Sequence, residues 1–242
     1  MLILSVVSHG HGEMVYRLIE HVLTFPEVKK VVLTLNIPEN LPKISDSRVE
    51  IITNKIPKGF GANHNQAFKK FKSTEFCVLN PDIIFYTNPF PNLSEALNDR
   101  SIGVVAPLVV QPNLSLEDSM RFFLTPLNLL RRMVGLDLGS YRIHHHGSDI
   151  APDWVAGMFM LFNSDIYLRL NGFDERYFMY CEDADICTRI WKSGYKVIGR
   201  PSVCVCHDAR RASLKKLNHF YWHLASIFRY FYTHLFSLPT KN

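Results

Sequence analysis

Glu182, Asp183 and Asp185 lie between an aromatic run, Tyr177-Phe178-Met179-Tyr180, and an apolar-striped segment. Carboxylates gathered so closely could hold a metal, cap a helix or take a proton. A helix beginning near Glu182 would carry Ile186, Cys187, Ile190 and Trp191 on one buried stripe, with Lys192 in its last turn and Gly194 ending it. The carboxylates then fall in the first turn, where the macrodipole favours negative charge, and helix stabilisation alone would account for them. The same dipole would help keep Asp183 ionised near neutral pH, as a general base must be, and the aromatics suggest a partly enclosed site.

Two further groups invite chemistry. Asn80-Pro81-Asp82 follows the apolar run Phe76 to Leu79 directly. A carboxylate at the end of a strand suits a divalent cation bridging phosphate oxygens, although Asn-Pro-Asp is also turn chemistry. Lys58-Gly59-Phe60-Gly61-Ala62-Asn63-His64-Asn65 is a glycine-bearing loop that runs into a helix, where backbone approaches a ligand and anions are received. It is neither a Walker loop nor a G-x-G-x-x-G fingerprint.

Positioning these groups requires a sheet. Leu2 to Ser8 reads as a strand buried on both faces and Glu13 to Thr24 as a helix, followed by strands at Val31 to Leu35 and Val49 to Thr53. A helix over Ala62 to Phe71 and a strand over Phe76 to Leu79 continue the alternation, which is the pattern of a βαβ series. Ligands gather at the carboxyl ends of such strands, so Ser8, His9, Asn36, Asn54, Asn80 and Asp82 are the first polar residues to consider. Beyond a strand at Ile102 to Ala106 the pattern lapses over 111–152 into a basic, amphipathic segment. It suits an excursion covering a site or touching a membrane, and equally a surface helix. Regularity resumes with Trp154 to Phe162, a helix near Ser164 to Leu170, the carboxylate helix, and strands near Lys196 to Ile198 and Ser202 to Cys206.

The 242 residues, 47% hydrophobic and 20% charged, suit one globular α/β domain. A formal charge of +5 is too small for a dedicated nucleic-acid binder but fits a phosphate-bearing ligand or an anionic membrane surface. The apolar start lacks a charged n-region and a cleavage site, and no stretch reaches transmembrane length, so the expected location is cytoplasmic, free or resting on a membrane. Five cysteines make an odd count for a disulfide framework. Cys204-Val-Cys206-His207 with Cys181 and Cys187 lacks the usual C-x-x-C knuckle of a zinc site, which favours buried thiols. His144, His145 and His146 read as a solvated loop.

The order of these pieces is more specific than any one of them. A strand-first start, Gly59-Phe-Gly-Ala-Asn-x-Asn65, Leu79-Asn-Pro-Asp82, Asp153-Trp-Val-Ala-Gly157, Asn171-Gly-Phe-Asp174, Tyr177 to Asp183, then His207 and Ser213, resembles the family 2 glycosyltransferases of the GT-A fold. Within them it looks most like the rhamnosyltransferases of bacterial O-antigen and related lipopolysaccharide assembly. The resemblance implies a single GT-A-like domain over 1–213, with a central, mostly parallel mixed sheet flanked by helices, and an amphipathic helical tail over 214–242.

The resemblance also assigns roles. Asp82, at the second acidic place of a D-x-D-like element whose first place is Asn80, would bind a divalent metal, Mg²⁺ or Mn²⁺, that holds the nucleotide-sugar diphosphate. His207 would complete the metal or diphosphate site, aided by Arg210 or Arg211. Asp183 would deprotonate the acceptor hydroxyl and Glu182 would orient the site or contact the acceptor. Ser8, His9, Asn36 and Asn54 would line the nucleoside pocket; many relatives carry aspartate where this chain has Asn36. Gly59, Gly61 and Asn63 would shape the wall beside the donor, and Trp154 and Gly157 would lie near sugar and acceptor. The implied reaction is an inverting transfer, with dTDP-rhamnose the favoured donor and a polyprenyl-diphosphate-linked saccharide the acceptor. UDP-sugar donors, a nucleotidyltransferase and a non-catalytic glycan- or nucleotide-binding module are the alternatives.

The tail carries Phe220, Leu224, Ile227, Phe228, Phe231 and Leu235 at helical spacing, with Lys215, Lys216 and Arg229 nearby. Such a stripe serves a core, while its aromatic load, Tyr221, Trp222, Tyr230 and Tyr232 included, equally suits the headgroup layer. A peripheral place on the cytoplasmic face of the inner membrane would follow from the second reading.

Overall fold

The computed structural model describes residues 1–136, 139–141, 143, 147–208 and 217–240. Arg210, Arg211, the three histidines 144–146 and the 213/214 boundary lie outside them.

One eight-stranded mixed sheet organises the chain, in the order β3-β2-β1-β4-β9-β6-β10-β5. Its strands are β1 (Leu2–Ser8), β2 (Val28–Leu35), β3 (Val49–Thr53), β4 (Glu75–Leu79), β5 (Ile83–Ile84), β6 (Ile102–Val110), β9 (Phe159–Asn163) and β10 (Lys196–His207). A separate ribbon pairs β7 (Met120–Arg121) with β8 (Trp154–Val155). The strands β1, β2, β3 and β4 pair in parallel, as do β6 and β10; β9 runs antiparallel between β4 and β6. The chain winds outward from β1 to β3 and then returns to the other side of β1 with β4. That reversal opens a crevice at the carboxyl ends of the strands.

Apolar cores fill both faces of this sheet. On one face α1 (Glu13–Val22) lays Val15, Leu18, Ile19 and Val22 down, and α3 (Phe90–Ala96) packs beside it. On the other face α2 (Phe60–Phe68), α5 (Ser164–Arg169) and α6 (Glu182–Lys192) converge on Phe76, Phe162, Tyr167 and Phe173. Asn163 caps α5, its side-chain oxygen accepting from the Asp165 and Ile166 amides at 3.0 and 3.4 Å.

Several boundaries differ from the sequence reading. The two expected C-terminal strands are one, β10, whose pairing to β6 shifts register between Arg200 and Cys204 around Pro201. Proline has no amide to give the ladder, so an irregularity there keeps the strand continuous. The helix α2 starts at Phe60, because Gly59 is extended (φ −64°, ψ 162°) and the following residues already turn. The short helix α3 had no sequence signal beyond the proline before it. The excursion is ordered where described: α4 (Pro126–Met133) follows β7, and the Asp153 carboxylate accepts from the Phe123 amide at 2.7 Å and the Tyr141 hydroxyl at 3.0 Å.

Asn65 knits α2 to the segment before α6. Its oxygen accepts from the Phe173 amide at 3.0 Å and the Tyr167 hydroxyl at 2.7 Å, and its amide donates to the Phe173 carbonyl at 2.8 Å. Gly172 makes this possible, with φ +64° and Asn65 Oδ1 where a Cβ would stand. Gly172→Ala is therefore expected to cost about 2–4 kcal/mol in strain and overpacking, and to lower the thermal midpoint by roughly 5–15 °C. A melt unchanged within a degree would contradict this account.

Candidate active site

The carboxylate segment is a helix start, as its spacing indicated. The first turn of α6 carries Glu182, Asp183 and Asp185, and Gly194 follows the last turn with φ +80°. Asp183 Oδ1 accepts from the Ala184 amide at 2.8 Å and Oδ2 from the Gly157 amide at 2.9 Å. Two backbone donors fix this carboxylate while it keeps partial exposure. A Cβ on Gly157 would stand 3.2 Å from the Phe60 ring, so a larger residue at this contact requires the ring to give by a few tenths of an ångström.

Burial works against the ionisation that a helix start favours. Burial raises the Asp183 pKa above the ordinary carboxylate value, and the amides of Gly157 and Ala184 only partly offset it. Glu182 is raised well above its usual value, first by burial and then by the adjacent Asp183 charge. Its Oε2 is buried without a hydrogen-bond partner, so the pair favours a protonated Glu182 beside an ionised Asp183. Asp185 does different work. It turns inward, 1% exposed, accepting from Arg189 Nε at 2.7 Å and lying 2.8 Å from His234 Nε2.

The segment Gly157-Met158 joins this carboxylate to the end of β4. Gly157 holds Asp183, and the next carbonyl, that of Met158, accepts from the Asn80 amide at 2.9 Å. Asn80, Asp82 and Asp183 are thus separated by one bridging dipeptide. Across from Asp82 stands His207, with Nε2 3.2 Å from Asp82 Oδ1. Burial depresses this imidazole, but Asp82, Glu117 and Asp208 outweigh it and hold its pKa above the usual value. The ion-pair contact is poorly directed: Asp82 Oδ1 and His207 Nδ1 are both buried without hydrogen-bond partners. Oxygen and imidazole donors left unsatisfied in this way fit a divalent cation. Among the described residues, no cluster of three or more His, Cys, Asp and Glu side chains forms a complete protein cage.

At the ends of β1, β2 and β3 the polar residues turn to one another. The buried amides of Asn36, Asn54 and Asn63 interlock: Asn54 Nδ2 donates to Asn36 Oδ1 at 2.9 Å and to Asn63 Oδ1 at 2.7 Å. Asn36 also accepts from the Lys58 amide at 2.8 Å and donates to its carbonyl at 3.0 Å, while Asn63 donates to the carbonyls of Lys58 and Gly59. These side chains brace the Lys58-Gly59 loop. Ser8 is likewise drawn into its own turn, its hydroxyl accepting from the His11 amide at 3.2 Å; His9 stays exposed, with Nδ1 3.3 Å from Asn36 Nδ2. His64, buried beside Ser5 at 2.8 Å, is kept neutral by burial, its pKa lowered to about 3.

The glycines of the loop answer to close approach. A Cβ on Gly59 would stand 2.6 Å from the Phe178 carbonyl oxygen, and one on Gly61 2.5 Å from Phe173 Cβ. Trp154 is buried, its indole donating to the Phe122 carbonyl at 2.8 Å under the Arg121 guanidinium. No sequence signal marked Phe178, Tyr180 or Asp185 as structural anchors. The alternation of Trp222, Ser226, Tyr230 and His234 at intervals of four was legible as a helix face and went unread.

The chain is 30% identical over 246 residues to the rhamnosyltransferase WbbL of Escherichia coli K12, covering 95% of this chain and 92% of that protein. The chain belongs to the family 2 glycosyltransferases. This glycosyltransferase also matches the N-acetylglucosaminyl-diphospho-decaprenol L-rhamnosyltransferase of Mycobacterium tuberculosis H37Rv, 30% identical over 142 residues, 54% of this chain and 45% of that one. A family model described as the N-terminal domain of galactosyltransferase matches residues 142–223, the stretch that contains Gly157, the carboxylate helix and His207. Two solved structures share its GT-A fold. GalNAc-T7 with UDP, GalNAc and Mn²⁺ superposes at TM-score 0.71 and 16% identity, over 96% of this glycosyltransferase and 47% of that chain. The mannosyltransferase PcManGT of Pyrobaculum calidifontis with GDP-Man and Mn²⁺ superposes at 0.63 and 14%, over 94% and 63%. The glycosyltransferase thus spans about half of the GalNAc-T7 chain.

Raised carboxylate pKa values have a stability signature. Between the unfolded and folded pKa values the native state binds more protons than the unfolded chain, so stability falls as pH rises through that window. Glu182→Gln removes that penalty. Its thermal midpoint is expected to exceed the parent's at pH 8, by about 2–4 °C for each kcal/mol relieved, and the gap is expected to close toward pH 5. A gap that widens on acidification would refute the assignment.

Proposed function

We propose that this glycosyltransferase moves rhamnose from dTDP-rhamnose to a polyprenyl-diphosphate-linked saccharide with inversion at the anomeric carbon. The observation that carries the reading is the Gly157-Met158 bridge, which sets the Asp183 carboxylate beside the end of β4 that bears Asn80 and Asp82. The Escherichia coli and Mycobacterium tuberculosis relatives are both rhamnosyltransferases, which supports the choice of sugar, and the decaprenol-linked acceptor of the latter supports the acceptor class.

In this reading Asp183 accepts the proton of the acceptor hydroxyl, and the oxygen attacks the anomeric carbon as its bond to the donor diphosphate breaks. The bond formed is the new glycosidic C–O bond, and the leaving group is the nucleoside diphosphate. Gly157 and Ala184 hold the base in place, and a protonated Glu182 beside it adds no second negative charge. Asp82 and His207 would hold Mg²⁺ or Mn²⁺, which when bound supplies Lewis-acid stabilisation of the departing diphosphate. The braced Lys58-Gly59 loop offers the nucleoside a rigid wall, with Arg210 and Arg211 proposed to meet the diphosphate.

Among the described residues no helix is long and apolar enough to cross a membrane. Yet α7 (Leu217–His234) exposes Phe220, Leu224 and Phe228, with Tyr232 and Phe236 continuing the row at 93% and 97% exposure. The expected apolar stripe is therefore split: Ile227, Phe231 and Leu235 are partly buried while its outer row faces solvent. An anionic membrane surface is the proposed partner of that row, at the cytoplasmic face where a polyprenyl-linked acceptor would lie.

Thermal melts with nucleotides and nucleotide sugars test the donor site. A rise with dTDP or dTDP-rhamnose that needs Mn²⁺ or Mg²⁺ and vanishes in Asp82→Ala is expected, and a metal-independent rise with another nucleotide would redirect the donor. Asp183→Asn is expected to keep that rise and lose at least about 10³-fold in transfer to a polyprenyl-diphosphate N-acetylglucosamine acceptor. The acid limb of kcat/KM should lie above the ordinary carboxylate range, because the raised Asp183 must be ionised. Flotation with phosphatidylglycerol vesicles tests the tail: the parent should float and Phe228→Ser/Tyr232→Ser should remain below. A parent that never floats ends the membrane reading.

A further inference from the structure

Directly before the carboxylates, two non-glycine residues in succession hold left-handed backbone, Tyr180 (φ 74°) and Cys181 (φ 62°). A residue with a side chain is strained in this conformation, and such strain persists only where surrounding contacts enforce it. The enforcing contacts come from the tail. Met179 accepts from Ser226 Oγ at 2.9 Å, Tyr180 OH lies 2.8 Å from His219 Nδ1, and the Phe178 ring packs on Trp222 at 4.7 Å.

The second half of α7 grips α6 itself. Thr188 donates its hydroxyl to the Ala184 carbonyl, so the buried Tyr230 hydroxyl, 2.7 Å away, donates to Thr188. Lys192 Nζ lies 2.8 Å from His234 Nδ1 and carries only donors, which makes that nitrogen an acceptor and leaves Nε2–H to donate to Asp185. Asp185 in turn orients Arg189, whose guanidinium reaches the carbonyls of Leu170 and Gly172 at 2.8 and 2.9 Å.

We propose that the tail helix is the positioning element of the catalytic base: Ser226, Tyr230 and His234 hold the strained turn and the α6 register from which Asp183 projects. The inference rests on Asp183 as the base. It makes these three positioning residues, acting through the turn and through Asp185, with no contact to substrate required. A tail that served only to reach a surface would need none of these buried hydrogen bonds.

The test is rescue by glycine, which adopts left-handed backbone at no steric cost. Rates are measured on the full chain with saturating dTDP-rhamnose and the polyprenyl-diphosphate N-acetylglucosamine acceptor, at a temperature where every variant is folded. Trp222→Ala/Ser226→Ala is expected to lower kcat about tenfold, equivalent to 1.4 kcal/mol, and adding Cys181→Gly to recover most of that loss. An unchanged kcat in the double variant, or no recovery with glycine, overturns the proposal. Should the double variant not stay folded, His234→Ala and His234→Gln decide. Glutamine keeps an amide donor for Asp185 and should hold kcat within about twofold while alanine loses about tenfold, and equal rates overturn the proposal. Asp183→Asn run alongside separates the two claims: if it remains active the base assignment fails, whereas if it is dead and the tail variants are normal only the positioning role fails.

Discussion

The placing of the Asp183 carboxylate is the constraint around which this protein is arranged. Burial raises its pKa, and the two backbone amides of Gly157 and Ala184 pull against that rise. Each donor comes with a structural demand. Ala184 requires a helix that begins at the carboxylate, and Gly157 requires a loop able to approach the Phe60 ring. The antiparallel strand β9 supplies that loop by entering the sheet between β4 and β6, which carries the Gly157-Met158 dipeptide past the end of β4. Sheet topology, helix start and the end of β4 are in this way tied together by one carboxylate and its two donors.

The acidic neighbours divide the labour by environment. Glu182 has one carboxylate oxygen enclosed without a partner and favours its proton; Asp183 has two amides that partly offset the cost of burying its charge; Asp185 has a guanidinium and an imidazole and serves the packing of helices. Three carboxylates within one turn would repel one another if all were charged and exposed to the same medium. Their separate surroundings remove the conflict, and they show why a count of acidic residues says little about roles.

Much of the scaffold was legible from the chain. The run Leu2 to Ser8, the alternation through Leu79 and the stripe Ile186, Cys187, Ile190 declare their elements, because burial on two faces of a sheet or one face of a helix imposes a period. Asp183 in a helix start was legible for the same reason. What stayed hidden depended on long-range geometry. No local pattern reveals that Asn36, Asn54 and Asn63, 9 to 27 residues apart, share their amides, or that Gly157 donates to a carboxylate 26 residues away. The tail was read by its apolar residues, whereas its attachment is made by Ser226, Tyr230 and His234, polar groups that matter only once Met179, Thr188 and Asp185 face them.

The interlocked asparagines carry an evolutionary consequence. Asn36 both accepts from the Lys58 amide and donates to the Lys58 carbonyl, a pairing that only an amide side chain of that length completes. An aspartate at this position would still accept from the Lys58 amide and from Asn54, but would turn the donated bond into a repulsion between carboxylate and carbonyl. The substitution is therefore epistatic: a lineage could exchange asparagine for aspartate here only together with changes at Asn54, Asn63 or the Lys58-Gly59 backbone. Grafting this loop between members of the family means moving the trio and its backbone as one inherited unit.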